Sequence, residues 1–330
     1  MTPSVAVIVL NWNNAPDTLA CLESLHRMDY PAFRLIVVDN GSTDDSCERI
    51  VAQHPTVELL ATGANLGYAE GNNVGIRHAL TQPVDYICVL NNDTVVAADF
   101  LVALVTEAES APEIGMVGPK MYFADPPNMI FAAGSMILWS SGELNQRGMG
   151  QLENPTTPIY VVAEDVDFIV GCGVLVKRQV IEQIGIFDPE YYLNFEDVDW
   201  CVRMHQAGYR VRYTPNALLW HKVSATLGQA SPANTYYMTR NGLRFFHRHT
   251  AGIWRWLTPL MIVARTLRTV AAWTVKACYR DDSHRRKRAA NLFALRDFVL
   301  RRVGRMGEDV ARVCYGKPQP PGTTTKGVKD

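Results

Sequence analysis

Along the first half of the chain, short apolar runs alternate with stretches of helical spacing. Runs rich in Val, Ile and Leu at Val5–Leu10, Arg34–Val38, Val57–Leu60, Tyr86–Leu90 and Ile114–Gly118 predict strands, joined later by Phe168–Val176 and Tyr209–Tyr213. Helical periodicity falls near 16–28, 44–53, 70–81 and 97–110. The early runs lack a polar alternate, as strands buried on both faces do. This alternation predicts an α/β domain with a mostly parallel sheet flanked by helices.

The polar positions are as informative as the apolar ones. The first run is followed by Asn11-Trp12-Asn13-Asn14, the second by Asp39-Asn40-Gly41-Ser42-Thr43-Asp44, the third by Asn65-Leu66-Gly67 and the fourth by Asn91-Asn92-Asp93. Any one cluster is what turns and helix N-caps ordinarily use. Four at one sheet edge point instead to a ligand, because open α/β sheets bind outside the carboxyl ends of their strands. The Gly- and Pro-punctuated segment 120–165 reads as an excursion from the sheet, a loop over that edge. After about 232 the pattern is helical, and residues 316–330 have the composition of a disordered tail. The expected organisation is a catalytic domain over 1–232, a helical region over 233–315 and the tail.

Charge changes the picture of the second part. Residues 1–239 hold 12 Lys and Arg against 27 Asp and Glu, whereas residues 240–330 hold 20 against 6. An acidic body is therefore joined to a basic region, which suits an anionic partner such as a membrane surface. The seven cysteines are odd in number and include no CxxC pair, the usage of free thiols in a reducing compartment. The N-terminus has no basic segment before its short apolar run, which argues against a secretory leader.

Three stretches carry candidate chemistry. Asp39, followed by Asn-Gly, offers a carboxylate to the N–H of a base or to ribose hydroxyls, while the absence of GxGxxG and GxxxxGK[ST] disfavours a dinucleotide fold and a P-loop. Gly67, Gly71 and Gly75 share one helical face, for close packing or close approach of a ligand. In the stretch 187–203, acids at Glu196, Asp197 and Asp199 fall where a helix would start, and Asp199 and Arg203 have the spacing of an ordinary surface ion pair. The aromatic neighbours Tyr191, Tyr192, Phe195 and Trp200 would raise a carboxyl pKa and could stack on a sugar ring. His221, after another apolar run, is either a structural histidine or a partner for a metal held by Asp93.

The pieces VIVLNWNN, VVDNGSTDDS, NLGYAEGNNVGI, VLNNDTVV, GCGVLVKR, GIFDPEYYLNFEDVDWCVR, WHKVS and YYMTRNGLRFF, in this order over about 5–246, resemble the inverting family 2 glycosyltransferases of GT-A fold, and bacterial rhamnosyltransferase-like members among them. The resemblance implies a nucleoside-diphosphate sugar donor, such as dTDP-rhamnose, a saccharide or polyprenyl-linked saccharide acceptor, and Mg²⁺ or Mn²⁺. It implies that Asp39 contacts the nucleobase, with Asn11, Asn65, Gly67, Asn91 and Asn92 lining the nucleotide-sugar site. Asp93 would hold the metal with His221, Asp197 would be the general base with Glu196 beside it, and Gly173 and Trp200 would face the acceptor. Asn91 stands where a strict DxD segment has its first Asp. A nucleotidyltransferase and a noncatalytic nucleotide-sugar-binding protein are the alternative readings.

The apolar stretch around 253–279 is interrupted by Arg255, Arg265, Arg268 and Lys276, too many charges for a spanning helix. It fits either an amphipathic helix lying in a membrane interface, with Arg285–Arg288 adding attraction to anionic lipid, or a helical pair packed on the protein with a solvated basic face. The expected location is cytoplasmic, peripheral on the inner face of the cell membrane. Nucleic acid is not an expected partner.

Overall fold

A computed structural model of the chain describes residues 2–223 and 231–316. The chain runs through β1 (Val5–Asn11), α1 (Ala15–His26), β2 (Phe33–Asp39), α2 (Ser46–Gln53), β3 (Glu58–Ala61), α3 (Gly67–Leu80) and β4 (Tyr86–Asn91). It continues through β5 (Thr94–Val96), α4 (Phe100–Glu109), β6 (Ile114–Phe123), β7 (Ile130–Ala132), a hairpin of β8 (Ser135–Leu138) and β9 (Glu143–Gln146), and β10 (Glu164–Asp165). β11 (Gly173–Lys177), α5 (Arg178–Ile184), α6 (Glu196–Gln206) and β12 (Arg210–His221) follow. The remainder is α7 (Pro232–His249), α8 (Trp254–Val275), α9 (Asp282–Val299) and α10 (Glu308–Tyr315).

Two compact units divide these elements. The first comprises residues 1–136, 145–188 and 197–223; the second gathers 137–144, 189–196 and 224–330. In the first, the main sheet has the order β10-β12-β6-β11-β4-β1-β2-β3, with β5 on β12 and β7 on β6. All seven residues of β1 are buried, as are the last five of β2 and the first five of β4. These are the uninterrupted apolar runs, and being covered on both faces is why they need no polar alternate.

The sheet is mostly parallel, with antiparallel members. β4, β1, β2 and β3 are parallel, joined by crossovers through α1, α2 and α3, but β11 runs antiparallel to both β4 and β6. Parallel neighbours need a helical crossover. β11 is instead reached through the irregular stretch after β7, and it enters the sheet in the opposite sense. The run expected to be a strand from Phe168 pairs regularly only from Gly173, because residues 171–172 turn. The two apolar runs before His221 merge into one strand, β12, whose register shifts between Tyr213 and Leu218 around Pro215, a position where a strand without a donor bulges.

In the second unit, Ser231 caps α7 by accepting from Asn234 N, and Asp281 caps α9 by accepting from His284 N. Asn241 on α7 is fully buried, and its Nδ2 lies 2.8–2.9 Å from the carbonyls of Tyr191, Leu193 and Asn194. Tyr192, Asn194 and Phe195 have φ of 65°, 66° and 76°, a left-handed backbone that costs energy for non-glycine residues. The amide of Asn241 holds that segment in place. The C-terminal end of α10 is closed by Gly316 with φ 78°; the rest of the expected disordered tail, 317–330, lies outside the described residues.

Candidate active site

The polar stops on the apolar strands align. In the β1–β2 ladder Asn11 pairs with Asp39, and in the β1–β4 ladder Leu10 pairs with Asn91, so three strands end level at one edge. Their side chains form a continuous chain of hydrogen bonds. Asn92 Nδ2 donates to Thr18 Oγ1 (2.9 Å), Thr18 donates to Asn11 Oδ1 (2.7 Å), and Asn11 Nδ2 donates to Asp39 Oδ1 (2.8 Å). Asp39 also accepts from the backbone N–H of Ser42 (3.0 Å) and from its hydroxyl. Asn11 is fully buried and spends its remaining Nδ2 hydrogen on Ser42 Oγ (3.1 Å). Its amide is thus bonded to Thr18, Ser42 and Asp39, and Asn11 is a brace that orients Asp39. Asp39 itself is buried, a fixed acceptor in the loop after β2.

The next loop is ordered by amides in the same way. Asn40 accepts from Leu66 N (2.9 Å) and donates to Gly67 O (3.0 Å), while Asn65 Oδ1 accepts from Gly67 N (2.9 Å). Gly67 has φ of 83° at the entry to α3, a conformation that suits glycine. One turn further, a Cβ on Gly71 would meet Leu10 Cδ1 at 2.8 Å, and one on Gly75 would meet Ile8 Cγ2 at 2.6 Å. At Gly71 and Gly75 the small face of α3 therefore serves close packing on the sheet.

At the end of β4 the chain turns at once into β5, which pairs antiparallel with the end of β12, Thr94 opposite His221. This return brings Asp93 and His221 together: His221 Nε2 is 3.0 Å from Asp93 Oδ1, and both side chains are buried. Burial opposes the charged imidazole, but the Cys172 sulfur and the Asp93 carboxylate outweigh it and raise His221 to about 10. Apart from this imidazole Asp93 Oδ1 has no partner, and the buried Asn91 Oδ1 two residues earlier has none. A lone carboxylate oxygen facing an imidazole nitrogen is a fitting donor pair for Mg²⁺ or Mn²⁺, ions that keep several positions for water and substrate phosphate. Among the described residues no group of three or more His, Cys, Asp or Glu side chains could hold a metal ion.

The fourth component is Asp197. Gly171 donates its N–H to Asp197 Oδ2 (2.8 Å), and Val198 N donates to Oδ1 (2.8 Å). Burial pushes this carboxyl up from its ordinary range, against the lowering effect of those N–H groups. Tyr68 donates to Gly171 O (2.6 Å), holding the turn that supplies the donor. The next residue, Cys172, accepts from Asn91 N (3.2 Å) and lies against His221. The Gly171–Cys172 turn thus joins the Asp197 carboxylate to the Asn91–Asp93 segment.

Other expectations around Asp197 are corrected. Asp199 and Arg203 are not a surface pair: Asp199 is fully buried, Arg203 Nε lies 2.8 Å from it, and the guanidinium also donates to Ile184 O and Ile186 O (2.7 and 2.8 Å). Trp200 is fully buried as well, its indole N–H bound to Gly185 O (2.8 Å) and its ring against Phe187. It anchors α6 to the loop after α5 and presents no face to a sugar. Gly173 is buried in β11, where a Cβ would strike Leu219 Cδ1 at 2.6 Å, so its role is packing rather than acceptor contact. Glu196 is buried at the first position of α6. Four residues escaped the sequence reading: Thr18, Ser42, Tyr68 and Gly171. Ser42, Tyr68 and Gly171 sat inside quoted motifs; Thr18 lies on α1, where nothing local marks it.

With the site in view, comparison with known proteins is specific. Residues 3–235 match the model of the glycosyltransferase-like family 2. Over 271 residues the chain is 27% identical to the N-acetylglucosaminyl-diphospho-decaprenol L-rhamnosyltransferase of Mycobacterium tuberculosis, covering 77% of this chain and 88% of that protein. It is 24% identical over 218 residues to the poly-beta-1,6-N-acetyl-D-glucosamine synthase of Staphylococcus aureus, covering 65% of this chain and 49% of the synthase. Among solved structures, the fold is similar to that of the mannosyltransferase PcManGT from Pyrobaculum calidifontis in complex with GDP-Man and Mn²⁺ (TM-score 0.56, 18% identity, 91% of this chain and 88% of that one). It is also similar to GalNAc-T7 with UDP, GalNAc and Mn²⁺ (TM-score 0.57, 13% identity, 97% of this chain and 59% of that one). The match of residues 3–235 to that family model, on a chain whose fold is of GT-A type, places this protein in glycosyltransferase family 2.

Proposed function

We propose that this glycosyltransferase moves a sugar, rhamnose from dTDP-rhamnose being the first donor to test, onto a saccharide or lipid-linked saccharide with inversion at the anomeric carbon. The observation that carries this reading is the Asp197 carboxylate, held by the Gly171 N–H and destabilised as an anion by burial, on the turn that also binds Asn91. A desolvated carboxylate fixed in one orientation suits a general base.

In this reading Asp39, oriented by Asn11 and Ser42, accepts from the nucleobase, and the loop of Asn65 and Gly67 borders the nucleotide. Asn91 and Asn92 follow at the sugar-phosphate side. Asp93 and His221 hold Mg²⁺ or Mn²⁺, whose chemistry when bound is to offset negative charge on the leaving diphosphate. Asp197 takes the proton from an acceptor hydroxyl as that oxygen attacks the anomeric carbon opposite the leaving group. One base and one displacement give inversion, unlike glycoside hydrolysis with its two carboxyl groups. The rhamnosyltransferase relative supports a prenyl-linked acceptor, and with it a cytoplasmic, membrane-peripheral location.

The experiment is a panel of nucleoside-diphosphate sugars assayed for binding and slow hydrolysis, with and without Mn²⁺. Mn²⁺-stimulated release of a nucleoside diphosphate from one donor supports the reading. Release of pyrophosphate, or donor binding without any turnover in the presence of acceptors, would overturn it.

A further inference from the structure

The second unit carries a helix with two unlike sides. On one side of α8, Thr258, Ile262 and Thr266 recur every four residues and are buried. Thr258 Oγ1 donates to Trp139 O (3.0 Å), Ile262 fills the space beside Gly142, and Arg265 donates to Gly142 O (3.0 Å) and pairs with Glu143 (2.7 Å). This inner side is docked on the tip of the β8–β9 hairpin and is fully accounted for.

The opposite side is apolar and exposed. Leu257, Leu260, Met261, Leu267 and Val275 lie on this side of the helix, with exposures of 36%, 62%, 39%, 47% and 73%. At the N-terminal end Trp254 and Trp256 add exposures of 47% and 68%. A stripe of this length along a whole helix exceeds the scattered apolar residues normal on a protein surface. Charge decides what covers it. Residues 240–280 contain eight Arg or Lys and no Asp or Glu; Arg268 is exposed on this side next to Leu267, and Arg255 and Lys276 are exposed at the two ends of the helix. A second copy meeting this side would set like charges against each other, which costs energy in an interface. An anionic lipid surface has the opposite charge and an apolar interior. No helix among the described residues is long and apolar enough to cross a membrane, so the geometry is that of a helix lying in the plane of the interface, its tryptophans at headgroup level.

We infer that the outer face of α8 docks this protein on an anionic bilayer surface, Trp254, Trp256 and the leucines entering the headgroup boundary while Arg255, Arg268 and Lys276 meet lipid phosphates. The docking is independent of sugar transfer and is read without donor or acceptor.

Flotation of the full chain with vesicles tests it, using phosphatidylcholine alone and phosphatidylcholine with about 30% phosphatidylglycerol. The expected result is flotation with the anionic vesicles, weakened by high salt, with a blue shift of tryptophan emission. The double variant Leu260→Gln with Leu267→Gln changes only exposed positions; it should keep its circular dichroism spectrum and lose binding by about tenfold or more. Arg255→Glu with Arg268→Glu should lose the preference for phosphatidylglycerol. Failure of the wild-type chain to float with anionic vesicles overturns the inference, as does wild-type flotation of a folded L260Q/L267Q variant. A wild-type dimer in sedimentation velocity that those two substitutions dissociate, without vesicle binding, would assign the face to a second copy instead.

Discussion

His221 Nε2 stands 3.0 Å from Asp93 Oδ1, although 128 positions of sequence separate the two residues. The contact exists because β5 folds straight back from the end of β4 and pairs with the last three residues of β12. It places an imidazole raised to about 10 against a buried carboxylate oxygen that has no other partner.

Metal binding should therefore compete with a proton. The raised pKa favours the protonated imidazole in the metal-free protein, and an imidazolium has no lone pair to give. Mn²⁺ affinity is expected to climb as pH rises, with proton release on binding, measured by calorimetry in buffers of different ionisation enthalpy. Asp93→Asn and His221→Ala should each weaken Mn²⁺ binding. Affinity that is flat with pH, or unchanged in both variants, would show that the pair is only structural.

Asp197 makes a prediction about the acid limb of activity. Burial raises its pKa, so a base at this position would be lost to protonation at a higher pH than an ordinary carboxylate, and the rate should rise with pH through that elevated value. The stability sign follows from the same shift. The folded state holds the proton more tightly than the unfolded one, so this contribution is fully present below the unfolded pKa and is lost as pH rises through the folded one. Asp197→Asn should lower kcat by about a hundred- to ten-thousand-fold, and the stability of the wild type relative to that variant should fall across the acid range in pH-dependent melts.

Thr18→Val tests the hydrogen-bonded row beneath the site. The change keeps the shape but removes the hydroxyl shared by Asn92 and Asn11. Leaving buried amides short of a partner costs about 1–3 kcal/mol. Denaturant unfolding should show that loss, and donor KM should rise because Asp39 is no longer braced through Asn11.

Asp199→Ala should behave differently from Asp197→Asn. It leaves Arg203 against the carbonyls of Ile184 and Ile186 without its buried counter-charge, and breaking such a pair costs about 3–5 kcal/mol. The expected outcome is a lower melting temperature, with kcat of the remaining folded protein close to wild type. A stable protein with abolished turnover would move the base from Asp197 to Asp199.

Much of the site was legible before folding. The apolar runs located β1, β2 and β4, and their polar stops located Asn11, Asp39 and the Asn91–Asp93 segment, because a strand covered on both faces can afford polar side chains only where it leaves the core. The start of α6 was visible in its acids, which favour a helix N-terminus. What each polar residue does there was not legible. Asn11 and Asp197 are both short polar side chains after an apolar or aromatic stretch, yet one is satisfied on all sides by protein and the other sits where burial disfavours its charge.

The sequence by itself determined the alternating order of strands and helices, the polar edge of the sheet and the basic charge of the C-terminal helices, since these follow from local periodicity and composition. Only the tertiary structure decided that β11 runs antiparallel, that Trp200 and Asp199 belong to the core, that the glycines of α3 pack on β1, and that α8 leaves an apolar side uncovered. Those outcomes depend on which distant segments meet, and a side chain's solvation, hydrogen bonds and ionisation are set by its neighbours in space.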